Sequence, residues 1–200
     1  LEGLKLLYNL GLLSSMSNQT FQNSTGDQIL SLNFPNKIGV AGGLDKNADY
    51  FHVLGKLGFG FVEVGTFTLK PQSGNPKPRV HRFTKEKNIV NSLGFNNVGV
   101  YQGLKNVERN KLSFDGILGI SIGKSKETKT INAYKDYLHL IDYVHDQADY
   151  IAINISSPNT ENLRDLSSES YFRDLIEKIM NKKDQLNGGF SQSKPFILKI

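Results

Sequence analysis

The stretch INISSPNT, residues 153 to 160, sets Asn154, Ser156, Ser157 and Asn159 directly behind a run of apolar residues. Amides and hydroxyls at the end of a buried strand can hydrogen-bond a polar ligand that the strand itself would reject. Other apolar runs end in the same way: Gly42 and Gly43, Gly65 and Thr66, Asn91, Ser121 and Gly123, and Lys199. Three better-known chemistries are excluded. GISIGKS at 119 to 125 falls one residue short of a phosphate-binding loop, because the required first glycine is Leu118. GFGFVEVG at 58 to 65 lacks dinucleotide spacing and leads into a strand. His52, His81, His139 and His145 have no zinc spacing, and the last two fall in one amphipathic helix with solvent-facing positions.

The elements that must carry these residues are short β-branched or apolar runs: 37 to 43, 61 to 67, 88 to 94, 117 to 123, 150 to 156 and 195 to 200. Each reads as a buried parallel strand. Between them the period becomes helical, most clearly at Tyr134, Tyr137, Leu138, Ile141, Val144 and Ala148, and again at Phe172, Leu175, Ile176, Ile179 and Met180. Alternating strand and helix predicts an α/β fold with a parallel sheet. Polar residues at nearly every carboxyl end favour a (β/α)₈ TIM barrel, whose strand ends share one mouth, over an open sheet with a single switch point. Six strands are expected, short of the eight such a barrel needs, so the barrel is expected to be incomplete. Residues 1 to 35 form a helical extension and lead-in, and 36 to 200 the first six β/α units.

The 200 residues and 38 % hydrophobic content suffice for a core. Cysteine is absent, which excludes disulfides and thiolate metal sites; no metal is expected. Lys plus Arg exceed Asp plus Glu by 24 − 19 = 5, but scattered, which fits an anionic small ligand or membrane surface better than nucleic acid. No run approaches the ~20 apolar residues of a membrane span, and residues 1 to 13 lack the marks of a signal peptide. That stretch, LEGLKLLYNLGLL, reads as a short leucine-rich helix, either docked on its own domain or resting on a membrane.

AGGLDKNAD (41 to 49), VGTFT (64 to 68), KPQSGNPKPR (70 to 79), NSLGFNN (91 to 97) and NISSPNT (154 to 160) together resemble the dihydroorotate dehydrogenase family. The resemblance covers nearly the whole chain. It is to class 2, the quinone-dependent, membrane-associated enzymes, because Ser157 stands where class 1 carries cysteine and a leucine-rich helix leads the barrel. It implies flavin mononucleotide (FMN) over the barrel mouth, and oxidation of (S)-dihydroorotate to orotate in pyrimidine (UMP) biosynthesis. A membrane quinone would be the final acceptor, with the protein peripheral on the cytoplasmic face of the inner membrane, or alternatively on the mitochondrial inner membrane.

The resemblance further implies Ser157 as the base and a flavin lying against Ala41, Gly42, Gly43, Leu44 and Asp45. Lys46, Thr66, Ser121, Asn154 and Lys199 would contact it, Lys199 at flavin N1. Substrate would meet Lys46 at its carboxylate, and Asn91, Asn154, Asn159 and the backbone of Ser92, Leu93, Gly94 and Phe95. The family usually has asparagine at Ser121 and Ser125, proline at Leu69 and alanine at Gly42. Two other outcomes are a non-catalytic truncated fragment, in which the flavin-phosphate loops of strands seven and eight are missing, and a class 1-like enzyme with a soluble acceptor.

Overall fold

The computed structural model describes residues 1–13, 26–156, 169–187 and 194–200. In chain order the elements are α1 (Glu2–Asn9), the antiparallel hairpin β1 (Asp27–Ile29) and β2 (Leu32–Phe34), β3 (Gly39–Val40), α2 (Phe51–Lys56) and β4 (Phe61–Phe67). There follow the antiparallel pair β5 (Val80–Phe83) and β6 (Asn88–Asn91), α3 (Gly99–Lys111), β7 (Ile117–Ile122), α4 (Ala133–Val144), β8 (Tyr150–Asn154), α5 (Glu169–Asn187) and β9 (Phe196–Lys199). Strands β3, β4, β7, β8 and β9 lie in that order in one parallel sheet.

Alternation along these strands sends the two sets of side chains to opposite faces. Val62, Val64, Phe67, Leu118, Ile120, Ile122, Ile151 and Ile153 take one face, all buried, and share a single core with Tyr137, Leu140, Ile141 and Val144 of α4 and Leu175 and Ile179 of α5. The other face, the inner face of a partial barrel, carries Gly119 and two hydrogen-bonded groups, Thr66 with Ser121 and Asn154, and Glu63 with Tyr150 and Lys199. Thr66 shares a face with Glu63 because the β4–β7 register shifts between Val64 and Phe67, where Gly65 adopts φ +97°.

The parallel sheet has five strands among the described residues, not six. The run at 88 to 94 supplies β6, which pairs antiparallel with β5 across a turn in which Lys87 adopts φ +51°, and both strands are exposed. The cause is the connection. A parallel crossover needs a dozen or more residues, usually a helix, and residues 68 to 87 hold Pro71, Pro76 and Pro78 instead.

At the amino ends of the strands, the β1–β2 hairpin covers the inner face, and Phe34 meets Phe61 edge-on at 5.5 Å between ring centres. At the start of the chain, α1 docks on the α2 region through its polar and aromatic side. Tyr50 donates its hydroxyl hydrogen to Glu2, Lys5 lies 5.3 Å over the Tyr50 ring, and Tyr8 meets His52 at 5.1 Å. Leu6 and Leu10 remain 60 % and 62 % exposed. No helix among the described residues is long and apolar enough to cross a membrane. His139 is exposed as expected, whereas the His145 side chain, just past α4, is only 16 % exposed.

Candidate active site

The carboxyl ends of the parallel strands open into one concavity of about 310 Å³, lined by Gly42, Gly43 and Lys46 after β3, Thr66 of β4, Asn91 at the end of β6, Leu93, Gly94 and Phe95 just after it, and Asn154 of β8. Its floor is a ladder of polar side chains. Asn154 Nδ2 donates to Thr66 Oγ1 at 3.0 Å, and Thr66 Oγ1 lies 2.9 Å from Ser121 Oγ. Ser121 is wholly buried beneath this pair, so it reaches the concavity through Thr66. The remaining oxygen of Asn154 accepts from the Ser156 backbone N–H and hydroxyl at 3.1 and 3.0 Å.

The turn at 41 to 45 is laced to β4: Gly43 N–H donates to the Gly65 carbonyl at 2.9 Å, and Gly65 N–H to the Asp45 carbonyl at 3.0 Å. The Asp45 carboxylate is buried and committed to structure, accepting the backbone N–H groups of Asp49 and Tyr50 at 2.9 and 2.8 Å at the start of α2. Burial raises its pKa while those two N–H groups pull it back. Gly43 adopts φ +108° with open space where a Cβ would stand, so a flat ligand can approach its backbone. Ala41 and Leu44 are exposed at the rim of the same turn.

Lys46 is the cation of this turn. Burial first, then the charges of Arg79 and Lys199, push its ammonium below the usual lysine pKa. A half-buried cation beside two others favours an anion as its partner. Lys199 pairs in register with Asn154 and makes an ion pair with Glu63 at 3.3 Å.

The segment 92 to 95 is held by the proline-bearing loop at 70 to 79. Asn75 donates from Nδ2 to the Ser92 carbonyl at 3.0 Å and from its backbone to Leu93 at 3.1 Å, and Gln72 Nε2 donates to the Gly94 carbonyl at 3.1 Å. Asn97 locks the far side: its Nδ2 donates to Thr68 Oγ1 at 2.9 Å and to the Phe95 carbonyl at 2.7 Å, and its Oδ1 accepts from Gly99 N–H at 2.8 Å. The Phe95 ring then packs over Gly123, where a Cβ would come within 2.9 Å of it.

GISIGKS forms no phosphate cradle. Lys124 is buried and donates to the carbonyls of Ser125 and Thr128 at 3.1 and 2.7 Å, and the Ser125 N–H is taken by Asp136 at 2.8 Å. Ser157 and Asn159 lie outside the described residues. Of the expected site residues, then, Gly42, Gly43, Lys46, Thr66, Asn91, Leu93, Gly94, Phe95 and Asn154 line one concavity. Ser121, Asp45 and Lys199 support it from behind, and Ser92 serves through its backbone. Sequence reasoning missed Glu63, Asn97, Tyr137 and Tyr150. Glu63 carried a signal, being the one charge inside the otherwise apolar strand FVEVGTF.

The profile of the family described as Dihydroorotate dehydrogenase matches residues 25–200. The chain belongs to this family. Among curated relatives, the dihydroorotate dehydrogenase (quinone) of Buchnera aphidicola subsp. Schizaphis graminum is 49 % identical over 171 residues, covering 86 % of this chain and 50 % of that protein. The protein of the same name from Neisseria meningitidis serogroup A is 42 % identical over 200 residues, covering 100 % of this chain and 58 % of its own length. The ligand-free dihydroorotate dehydrogenase of Eimeria tenella superposes with a TM-score of 0.81 at 33 % identity, over 100 % of this chain and 60 % of that one. The chain thus spans between half and three-fifths of the length of these relatives, and its sheet is the corresponding part of a dihydroorotate dehydrogenase TIM barrel.

The donor set at the mouth fits a flavin. A flat heteroaromatic ring bearing carbonyl oxygens needs an open backbone face, small hydrogen-bonding side chains and nearby cations. Gly43, the Thr66–Ser121–Asn154 ladder, and Lys46 with Lys199 supply these in turn.

Proposed function

We propose that the whole protein oxidises (S)-dihydroorotate to orotate in UMP biosynthesis, with FMN held at the barrel mouth and a membrane quinone as final electron acceptor. The observation that carries this reading is the buried Thr66–Ser121–Asn154 ladder opening into a concavity flanked by Lys46, in a chain of this family. When bound, FMN supplies a two-electron acceptor for the hydride that leaves dihydroorotate.

The chain's own residues bind and orient. The backbone of Ala41 to Asp45 would give the ring a close approach, and Thr66 and Asn154 would offer hydrogen bonds to it, with Ser121 acting from behind through Thr66. Lys199 would reach toward N1, and its positive charge would favour the reduced ring there. Lys46 takes the substrate carboxylate, while Asn91, Asn154, Asn159 and the backbone from Ser92 to Phe95 hold the pyrimidine. Ser157 accepts the C5 proton, which requires a site closed to water. Residues 36 to 200 belong to the first units of the barrel, and 1 to 35 form the lead-in. Through the exposed leucines of α1 it rests on the cytoplasmic face of the inner membrane; the outward Leu6 and Leu10 support this.

Anaerobic mixing of the full-length protein with dihydroorotate tests the reading. The bound flavin should bleach, and a ubiquinone analogue should restore its absorbance. A protein that binds flavin but is not reduced by dihydroorotate would overturn the assignment.

A further inference from the structure

The geometry points to Glu63 as a residue that tunes the cofactor through Lys199: its carboxylate holds that lysine in place and offsets part of its charge. The inference rests on the flavin reading above, in which Lys199 faces N1. Glu63 lies on the inner face of β4, its side chain only 12 % exposed. Oε1 accepts from Lys199 Nζ at 3.3 Å, and Oε2 accepts from the Tyr150 hydroxyl at 3.3 Å. One carboxylate thereby joins β4, β8 and β9 just beneath the mouth.

The surroundings are shaped for this carboxylate. Glu63, Gly119 and Tyr150 stand in one row across β4, β7 and β8. The Tyr150 ring occupies the space where a side chain at 119 would stand, and this lets its hydroxyl cross β7 to Glu63. Above, a Cβ at Gly42 would lie inside contact distance of Glu63 Oε1. Gly42 therefore leaves room for the carboxylate to rise beside the turn that the ring would cover. Burial and the neighbouring Glu63 raise the Tyr150 phenol pKa, so it stays a donor.

A carboxylate beside a cation reduces the field that the cation exerts on any third group. Flavin reduction adds negative charge near N1, so a lysine there favours the reduced form, and Glu63 moderates that preference. Glu63→Gln separates holding from offsetting. The amide oxygen can still accept from Lys199, while the charge is gone.

The test is the midpoint potential of the flavin in the full-length protein, measured by dye-coupled titration. Glu63→Gln should favour the reduced form by about tenfold, which for a two-electron couple is about 30 mV upward. Gly42→Ala, which keeps the charge but pushes the Glu63 carboxylate aside, should move the potential in the same direction by less, and it serves if Glu63→Gln fails to fold. A potential that stays or falls in both variants while wild type holds flavin would overturn the tuning role alone. A wild-type protein without flavin would overturn the flavin reading, and this inference with it.

Discussion

The two faces of the parallel sheet obey different rules. On the outer face Val62, Val64, Leu118, Ile120, Ile151 and Ile153 are buried among helices, and any apolar side chain of similar volume would serve. On the inner face, one residue away along each strand, Glu63, Ser121, Tyr150, Asn154 and Lys199 have specific partners, and Gly119 and Gly42 leave space for named neighbours. The outer face holds the fold by area; the inner face positions a ligand by hydrogen bonds. A substitution should therefore report in stability on one face and in binding or rate on the other.

The sharpest version of this contrast is at Ser157, beyond the end of β8. In the full-length protein Ser157→Ala should slow flavin reduction by dihydroorotate by roughly 10² to 10⁴, with orotate affinity changed only a few-fold and thermal stability by less than about 1 kcal/mol. Single-turnover absorbance traces measure this, and a wild-type rate would remove Ser157 from the chemistry. The opposite signature belongs to Ile151→Ala, on the outer face of the same strand. A buried large-to-small change there should cost about 2 to 5 kcal/mol of unfolding free energy, and reduction per bound flavin should remain near wild type in denaturant-free buffer.

That division also explains what was legible in the sequence. The outer face announces itself, because alternating apolar positions and the helical period of α4 and α5 are set by burial alone. Family motifs located the mouth, since those in the described residues lie at or after a strand's carboxyl end. The hairpin at 80 to 91 escaped because NIVN looks like a buried strand; only the lack of a helical crossover between Phe67 and Asn88 argued otherwise. Asn97 and Tyr150 escaped for a different reason. Each matters through partners 29 and 87 residues away, at Thr68 and Glu63, and local pattern does not encode such pairs.

Lys46 sharpens the comparison with pH. Its folded pKa is depressed, so its charge is held at low pH and lost as pH rises through a value below that of an ordinary lysine. Orotate binding in the full-length protein should therefore be strong at neutral pH and weaken on the alkaline side earlier than a surface lysine would dictate. Lys46→Met should bind weakly throughout and lose the alkaline fall, with a deficit of about 1.5 to 3 kcal/mol, the worth of a hydrogen bond to a charged group. Fluorescence titrations of orotate at several pH values would show it. An unchanged alkaline limb in Lys46→Met would assign the titration to another group.

The smallest effect tests whether the two faces are independent. Tyr137 belongs to α4 and to the outer core, yet its hydroxyl donates to the Asn154 carbonyl at 2.9 Å and accepts from the Lys124 backbone N–H. It therefore ties the ends of β7 and β8 together from behind, at the residue whose amide completes the inner ladder. Burial raises the phenol pKa, so the hydroxyl keeps its proton through the physiological range. Tyr137→Phe keeps the ring and its packing but leaves two buried backbone groups unpaired, at a cost of about 1 to 3 kcal/mol. If the faces were independent, that loss would appear in unfolding alone. Because Asn154 is shared, flavin affinity should also fall by a few-fold, and Phe at 137 should weaken binding more than Ile151→Ala does despite destabilising the fold less. The two variants titrated with FMN side by side, with unfolding measured in parallel, decide the point: equal ranking in both measurements would mean that the outer core supports the mouth only through overall stability.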